Sequence, residues 1–397
     1  MWRIIMGNEN EQILENEQVL TDAEPRTTYS LDDLFYDETE DANNTDSNKE
    51  EVSSDDIDND VKTGSIPVYV PQYDYQKEFV DKIDSFVEEA WDPQTHGLTL
   101  PWDKMDKALN GLQVGLHIIA GESNHGKSAL LSCIEVGLIN SNPDSVYILS
   151  HSLDDTFQDK LARMAAIMSD STINFIKTPL RSNITQDIND PWYLKWQSAI
   201  LKVKKASAML NIKDSTEGGE VETIIERAKE TKKMLEELAA STGIRRQLVL
   251  TIDSFHDLTS KNTSIMKDEN IRWEYLAKTL SDASDALKIP IICTGELIKN
   301  GQNRPNIQDI RGASKLRFKA KSILLVYNEV SAKNEGASIY YTLNGQNDKR
   351  PVLEVHYAKN KFSPFKGRHY FMFQPENVRL MMATDEAERK YNSKIYG

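Results

Sequence analysis

Residues 116–133 read LHIIAGESNHGKSALLSC, and within them lies Gly121-Glu122-Ser123-Asn124-His125-Gly126-Lys127-Ser128, a complete G-x-x-x-x-G-K-[ST] phosphate loop. Leu116 to Ala120 form an apolar run of strand length that Gly121 breaks, and Ser128 to Cys133 begin an apolar-rich helical segment. Strand, glycine-bearing turn and helix in that order constrain the fold more than anything else in the chain. The two glycines let backbone N–H groups turn inward around a polyphosphate, and the helix opening at Lys127 presents its positive dipole end to it. Lys127 is spaced to reach β- and γ-phosphates, and the Ser128 hydroxyl to bind Mg²⁺. The spacing predicts a site for a nucleoside triphosphate, ATP in the reading adopted below, with Mg²⁺.

The rest of the chain alternates strand-like and helical runs. A second strand is expected at Ser145–Ser150 and a helix to about Met168, with residues 171–245 mostly helical. Gln247–Ile252 reads as a buried strand, then come a polar loop over 258–270, a helix over 271–287 and a strand at Pro290–Thr294. A polar loop over 298–315 precedes a strand at Ser322–Tyr327, and further strand-like runs fall near 338–343, 352–358 and Tyr370–Phe373. Such alternation predicts an α/β fold, a mainly parallel sheet covered by helices on both faces, with ligands at the C-terminal ends of the strands. Every polar residue singled out below is expected at that end.

Several residues carry candidate chemistry. Asp253 closes the strand QLVLTI, and an apolar strand ending in a carboxylate downstream of a phosphate loop is the second magnesium-side element of such ATPases. Its ordinary alternative is an Asp capping the next turn. Hydrolysis also needs a carboxylate to orient water, and Asp154 is the candidate, with Asp155 its rival; one of the two can instead cap the following helix. Glu296 ends the run IPIICTGEL, as a γ-phosphate sensor or as a surface acid. Lys359 and Lys361 flank Asn360 and so share one side of a strand end, either reaching a neighbour's site or forming an exposed basic hairpin. The loops at 258–270 and 298–321 bring Lys261, Lys267, Lys299, Arg304, Arg311, Lys315, Arg317, Lys319 and Lys321, a concentration suited to phosphodiesters. Aromatic residues are sparse there, which favours backbone tracking over base stacking.

Charge divides the 397 residues unevenly. The first 75 hold 20 Asp/Glu against 4 Lys/Arg, and the remainder is nearly neutral although the whole carries −15. Residues 8–65 are too polar to offset their ordering entropy and read as disordered; SLDDLF at 30–35 is either a short docking helix or part of a solvated tail. Residues 76–91 place Phe79, Val80, Ile83, Phe86, Val87 and Ala90 on one helical face, which must pack on its own domain or on a neighbouring subunit. Cys133 and Cys293 sit in apolar runs without a C-x-x-C, arguing for a reducing compartment and against a zinc or disulfide framework. No apolar run is long enough to span a membrane, so no membrane partner and a cytoplasmic location are expected.

Taken together, these segments resemble the DnaB-type replicative helicases, which have a RecA-like ATPase core, from about Gly97 to Leu380. GLTLPWDKMD with GLQVGL resembles the family's approach to the phosphate loop, and S-L-D-D with Arg163 beyond it resembles the S-L-E-M segment and its arginine. LTIDSFHDL and IPIICTGEL stand for the magnesium strand and the strand ending in glutamine, DIRGASKL for the DNA-touching loop, and AKNKFSPFKG for the K-Q-R-N-G-P segment.

The resemblance implies an ATP-driven 5′-to-3′ DNA helicase, a hexameric homo-oligomer on single-stranded DNA, with primase, loader or polymerase partners. Arg311, Gly312 and Ser314 would contact the DNA backbone with Lys315 beside them, and Lys359 and Lys361 would act in trans. Residues 1–70 would be the acidic tail, 71–95 the linker helix that docks on the adjacent protomer, 96–382 the RecA-like domain and 383–397 a C-terminal tail. Four departures stand out. Asp154 replaces glutamate and is shorter by one bond of roughly 1.5 Å. Glu296 replaces glutamine, and Lys361 replaces the finger arginine with its planar fork. The acidic run after the DNA loop is here Arg317-Phe318-Lys319-Ala320-Lys321. The acidic tail stands in place of the family's folded N-terminal domain. Such drift suits a phage-encoded relative, whose cytoplasm would be the host's. Two other readings fit the same motifs: a RecA- or KaiC-like ATPase that assembles on DNA without unwinding it, and a nucleotide-switched assembly platform.

Overall fold

A computed structural model of the chain describes residues 75–91, 97–298, 303–343 and 348–397. The acidic segment 1–70, SLDDLF within it, and Lys299 lie outside the described residues. Ten strands are present among the described residues: β1 (Gly115–Gly121), β2 (Val146–Ser152), β3 (Leu210–Asp214), β4 (Gln247–Asp253), β5 (Pro290–Glu296), β6 (Ser322–Asn328), β7 (Tyr340–Tyr341), β8 (Arg350–Asn360), β9 (Arg368–Gln374) and β10 (Arg379–Met382). The helices are α1 (Tyr75–Trp91), α2 (Asp103–Leu109), α3 (Lys127–Ser141), α4 (Phe157–Ser169), α5 (Ile173–Lys177), α6 (Pro191–Ala206), α7 (Val221–Thr242), α8 (Glu269–Leu287), α9 (Ala313–Lys319), α10 (Glu329–Lys333) and α11 (Asp385–Tyr396).

The strands form one sheet in the order β10-β9-β8-β6-β1-β5-β4-β2-β3, with β7 paired to β8. From β6 to β3 every pairing is parallel, and from β6 outward through β8, β9 and β10 every pairing is antiparallel. β1 is central and buried at all seven positions, as an apolar run without alternation requires when both sheet faces are covered. Ile119 joins Leu130, Ile134 and Leu138 of α3 in one core, while Leu116, Ile118 and Ala120 join Leu276 and Leu280 of α8 in the other. Each fully buried Leu or Ile of this kind contributes about 1.5–3 kcal/mol through area removed from water. Two-sided burial of β1 therefore fixes the position of the phosphate loop that follows it.

The structure departs from the sequence expectations at particular points. Within the stretch read as mostly helical lies β3, an edge strand that buries Leu210 and Ile212 and turns Asn211 and Lys213 outward. Five residues of alternation are hidden between two helices. β10 is likewise an edge strand of four residues. The segment 383–397, expected as a charged tail, carries α11, capped by Thr384 and anchored by Tyr391, which is buried beside Tyr370. The helix after β2 is capped by neither Asp154 nor Asp155. Thr156 does so, its hydroxyl accepting the Asp159 N–H at 3.2 Å.

α1 forms as its periodicity predicts, with a Glu78–Lys82 ion pair one turn apart. Its apolar stripe is not buried on its own domain: Phe86 is 69 % exposed, Trp91 82 %, and Phe79, Val80, Ile83 and Val87 are exposed with them. No described helix is long and apolar enough to cross a membrane. Both cysteines are free and buried, and burial pushes the Cys133 thiol up to about 12.

Candidate active site

The loop leaving β1 wraps back onto itself. Lys127 Nζ donates to the Glu122 carbonyl at 3.0 Å, and the His125 N–H donates to the same carbonyl at 3.3 Å. Two glycines are constrained, Gly121 by a backbone neighbour and Gly126 by its positive φ. A Cβ on Gly121 would lie 2.9 Å from the Val326 carbonyl oxygen, and one on Gly126, which caps α3 at φ +95°, would lie 2.9 Å from a Leu353 methyl. His125 faces inward, edge-on to Tyr327 at 5.4 Å. Its backbone, rather than its ring, is what the loop offers a phosphate, and Ser123 and Asn124 are exposed at the tip.

Burial lowers the pKa of Lys127, and Asp253, Glu296, Asp154 and Glu122 act in that order to restore it. These four carboxylates meet around one ammonium because β4, β5 and β2 end at the same edge of the sheet as β1. Asp253 is 2 % exposed. Its Oδ1 accepts the Thr294 hydroxyl, and its Oδ2 is buried with no hydrogen-bond partner among the described residues. A buried carboxylate oxygen left open in the field of Lys127, with the Ser152 hydroxyl, unpaired among the described residues, in register with it on β2, fits a ligand to a divalent cation.

Of the two rival aspartates, Asp155 is engaged by Arg163 at 2.6 Å. Asp154 is exposed, and its N–H donates to the Asp253 carbonyl at 3.1 Å. Partial burial first, then Asp257, Asp155 and Asp253, hold its carboxyl above the ordinary range, with Lys127 opposing. Asp257 therefore bears on the site although nothing in its sequence position marks it. Its carboxylate accepts the Ser254 hydroxyl at 2.5 Å. Glu296, at the end of β5, lies 3.6 Å from Arg311, and the two share a cleft of about 490 Å³ with Glu122 and Ser123. A cation beside Glu296 answers the repulsion an acid facing phosphate would meet.

The basic loops are less free than composition implies. Arg304 turns inward, bidentate to Glu354 at 2.8 Å and 3.3 Å from Glu329, both acids buried. Lys315 pairs with Glu274 at 2.7 Å. Arg311 and Ser314 remain at the exposed start of α9, and Gly312 stands at φ +65° with its Cβ position 2.5 Å from the Trp273 ring. Lys359 and Lys361 require a correction. β8 runs antiparallel to β6, so its C-terminal end lies at the opposite edge of the sheet from the protomer's own phosphate loop. The Lys361 N–H donates to the Lys321 carbonyl, and the Lys321 N–H to Leu116, five residues and about 16 Å before Gly121 along β1. Lys359 donates to the Arg317 and Phe318 carbonyls at the end of α9. Burial first, then Lys361 and Lys321, bring its pKa down to about 8.

A phosphate loop on a central parallel strand, with an acid at the end of the next strand and a buried carboxylate at the end of the one after, defines a RecA-like phosphate-loop ATPase core. The chain belongs to the family of the DnaB-like helicase C terminal domain, which it matches over residues 97–381. Two solved structures resemble it in fold. One, described as an ATPase domain, is 19 % identical, with a TM-score of 0.61 over 78 % of this chain and 98 % of that one. The other, a DnaB-like replicative helicase described with its interactions with primase, is 19 % identical, with a TM-score of 0.60 over 78 % of this chain and 68 % of that one. No curated protein sequence matches the chain.

Proposed function

We propose that the chain is an ATP-driven replicative DNA helicase, a hexameric ring that translocates 5′-to-3′ on single-stranded DNA and unwinds duplex. Backbone amides of residues 121–127 and the Lys127 ammonium bind the triphosphate, and Ser128 and Asp253 hold Mg²⁺, which when bound neutralises charge on the β- and γ-phosphates. Asp154 orients the attacking water and takes its proton, a task its raised pKa favours. Glu296 senses the γ-phosphate side. Arg311, Gly312, Ser314 and Lys315 track the DNA backbone. A primase partner is proposed because one structural relative is described with its interactions with primase.

One observation carries the ring: Lys359 and Lys361 lie at the far edge of the sheet from their own phosphate loop, so a γ-phosphate they serve belongs to another protomer. The exposed stripe of α1 supports the same assembly, as a surface for the adjacent protomer. Mixing two inactive variants tests it. Lys127→Ala disables a protomer's own loop, and Lys361→Ala disables what it lends. An equal mixture is expected to regain up to about a quarter of parental turnover, the share of interfaces joining an intact loop to an intact lysine. No recovery on mixing argues that the lysine pair works elsewhere. Unwinding of a forked substrate distinguishes the helicase from a RecA- or KaiC-like assembly, which would turn over ATP on DNA without separating strands.

A pH dependence follows. Lys359 is charged below about 8 and neutral above it, so its help to a neighbour's γ-phosphate is present at neutral pH and fades as pH rises through about 8. Turnover with DNA is expected to decline on that limb, and Lys359→Arg, charged throughout, to push the decline to higher pH. Matching alkaline limbs in the two proteins would assign the titration to another group.

A further inference from the structure

The loop that leaves Asp253 carries a residue that sequence reading passes over. His256 is 9 % exposed, and both ring nitrogens are committed. Nδ1 accepts the Glu296 N–H at 2.9 Å, which leaves the proton on Nε2, and Nε2 donates to the Arg311 carbonyl at 3.2 Å. The ring stands edge-on to Trp273 at 5.0 Å and to Phe255 at 5.4 Å, and Arg272, stacked over Trp273, donates to the His256 carbonyl at 2.9 Å. One imidazole, three positions from the metal-side carboxylate, thus joins the end of β5 to Arg311, two residues before α9. Glu296 and Arg311 already share a backbone bond of 3.1 Å and an ion pair, so the distinct share of His256 is to tie both to the end of β4.

We infer that His256 is the positioning residue that makes the metal-side strand, the γ-phosphate-side strand and the DNA loop shift as one unit. Movement at Glu296 as the γ-phosphate comes and goes is passed through the ring to Arg311, and the Trp273 wedge against Gly312 keeps the loop from absorbing it. The inference rests on the assignment of Arg311 to single-stranded DNA made above.

Two half-mimics test it. Asn sets an amide oxygen where Nδ1 sits, so His256→Asn keeps the bond to Glu296 and loses the one to Arg311. Gln sets an amide nitrogen near Nε2, so His256→Gln does the reverse. The readout is the ratio of ATP turnover with and without single-stranded DNA, with the ATP KM measured in each protein and Tm as the check on folding. Each variant is expected to lower the ratio roughly tenfold, the scale of one buried hydrogen bond, while KM stays within about twofold. If one variant does not fold, the other decides alone. A ratio preserved in a folded variant overturns the inference, since a space-filling role would survive either amide. A fall in turnover that is equal with and without DNA overturns it too. Absence of any stimulation in the unaltered chain removes the DNA-motor reading and this inference with it.

Discussion

Lys127→Ala is expected to lower ATP turnover by about three orders of magnitude at saturating ATP, read as phosphate release. The ammonium sits in the field of Asp253, Glu296, Asp154 and Glu122, so the loop holds one cation among four acids before any triphosphate arrives. Removing it leaves the incoming phosphates facing uncompensated carboxylates in a partly desolvated site, where a preorganised donor to a developing negative charge is worth about 10²–10³ in rate. A full charge placed on the transferring group belongs at the upper end of that range, about 4 kcal/mol. Lys127→Arg is not expected to rescue turnover, because a planar fork cannot occupy the space of a point charge bonded back to the Glu122 carbonyl. A Lys127→Ala protein that retains a tenth of parental turnover would place hydrolysis somewhere other than this loop.

Lys160→Met is expected to destabilise the domain by about 3–5 kcal/mol, the cost of stranding one half of a buried ion pair. Lys160 and Glu135 are both fully buried, 2.6 Å apart, one on α4 and the other on α3. Lys160 also donates to the Ser132 hydroxyl at 3.3 Å, while Glu135 accepts Ser150 at 2.7 Å and Thr251 at 2.5 Å. With Met in place, Glu135 keeps two neutral donors and loses its countercharge. A fall in Tm of roughly 10 °C is the expected readout for a domain of this size. The double variant Glu135→Leu/Lys160→Met is expected to recover much of that loss, since apolar replacement of a whole buried pair is often near neutral. If the single variant melts with the parent, the pair is not the internal brace described here. Ser150 and Thr251 lie two residues before Ser152 and Asp253 on the same faces of their strands, so the network also supports the floor of the site.

What the sequence makes legible is local. The phosphate loop is eight consecutive residues whose meaning depends only on the strand before and the helix after, and both are present. The shared location of Asp253, Asp154 and Glu296 is legible because each follows an apolar run, and parallel strands that share a direction deliver their ends to one edge. The missed features depend on partners far along the chain. Thr294 joins Asp253 across 41 positions and Thr251 joins Glu135 across 116, and neither pairing leaves a periodic trace. Arg304 reads from composition as one more loop cation, and only the fold shows Glu329 and Glu354 waiting for it. His256 looks like an ordinary loop residue because both of its bonds go to backbone atoms, which carry no residue identity. The lysine pair falls at the edge opposite to the one expected because a strand's end, read alone, says nothing about its direction, and β8 returns antiparallel.

That reversal has a consequence for how such a molecule is handled. With loop and lysine pair at opposite edges of the sheet, a lone protomer would, on the proposed function, hold two halves of different pockets and a whole of neither. On the proposed assembly, specific activity is then set by crowding as much as by chemistry. Diluting a stock should silence it faster than in proportion, and a replication site that gathers copies would switch the motor on without any dedicated activator.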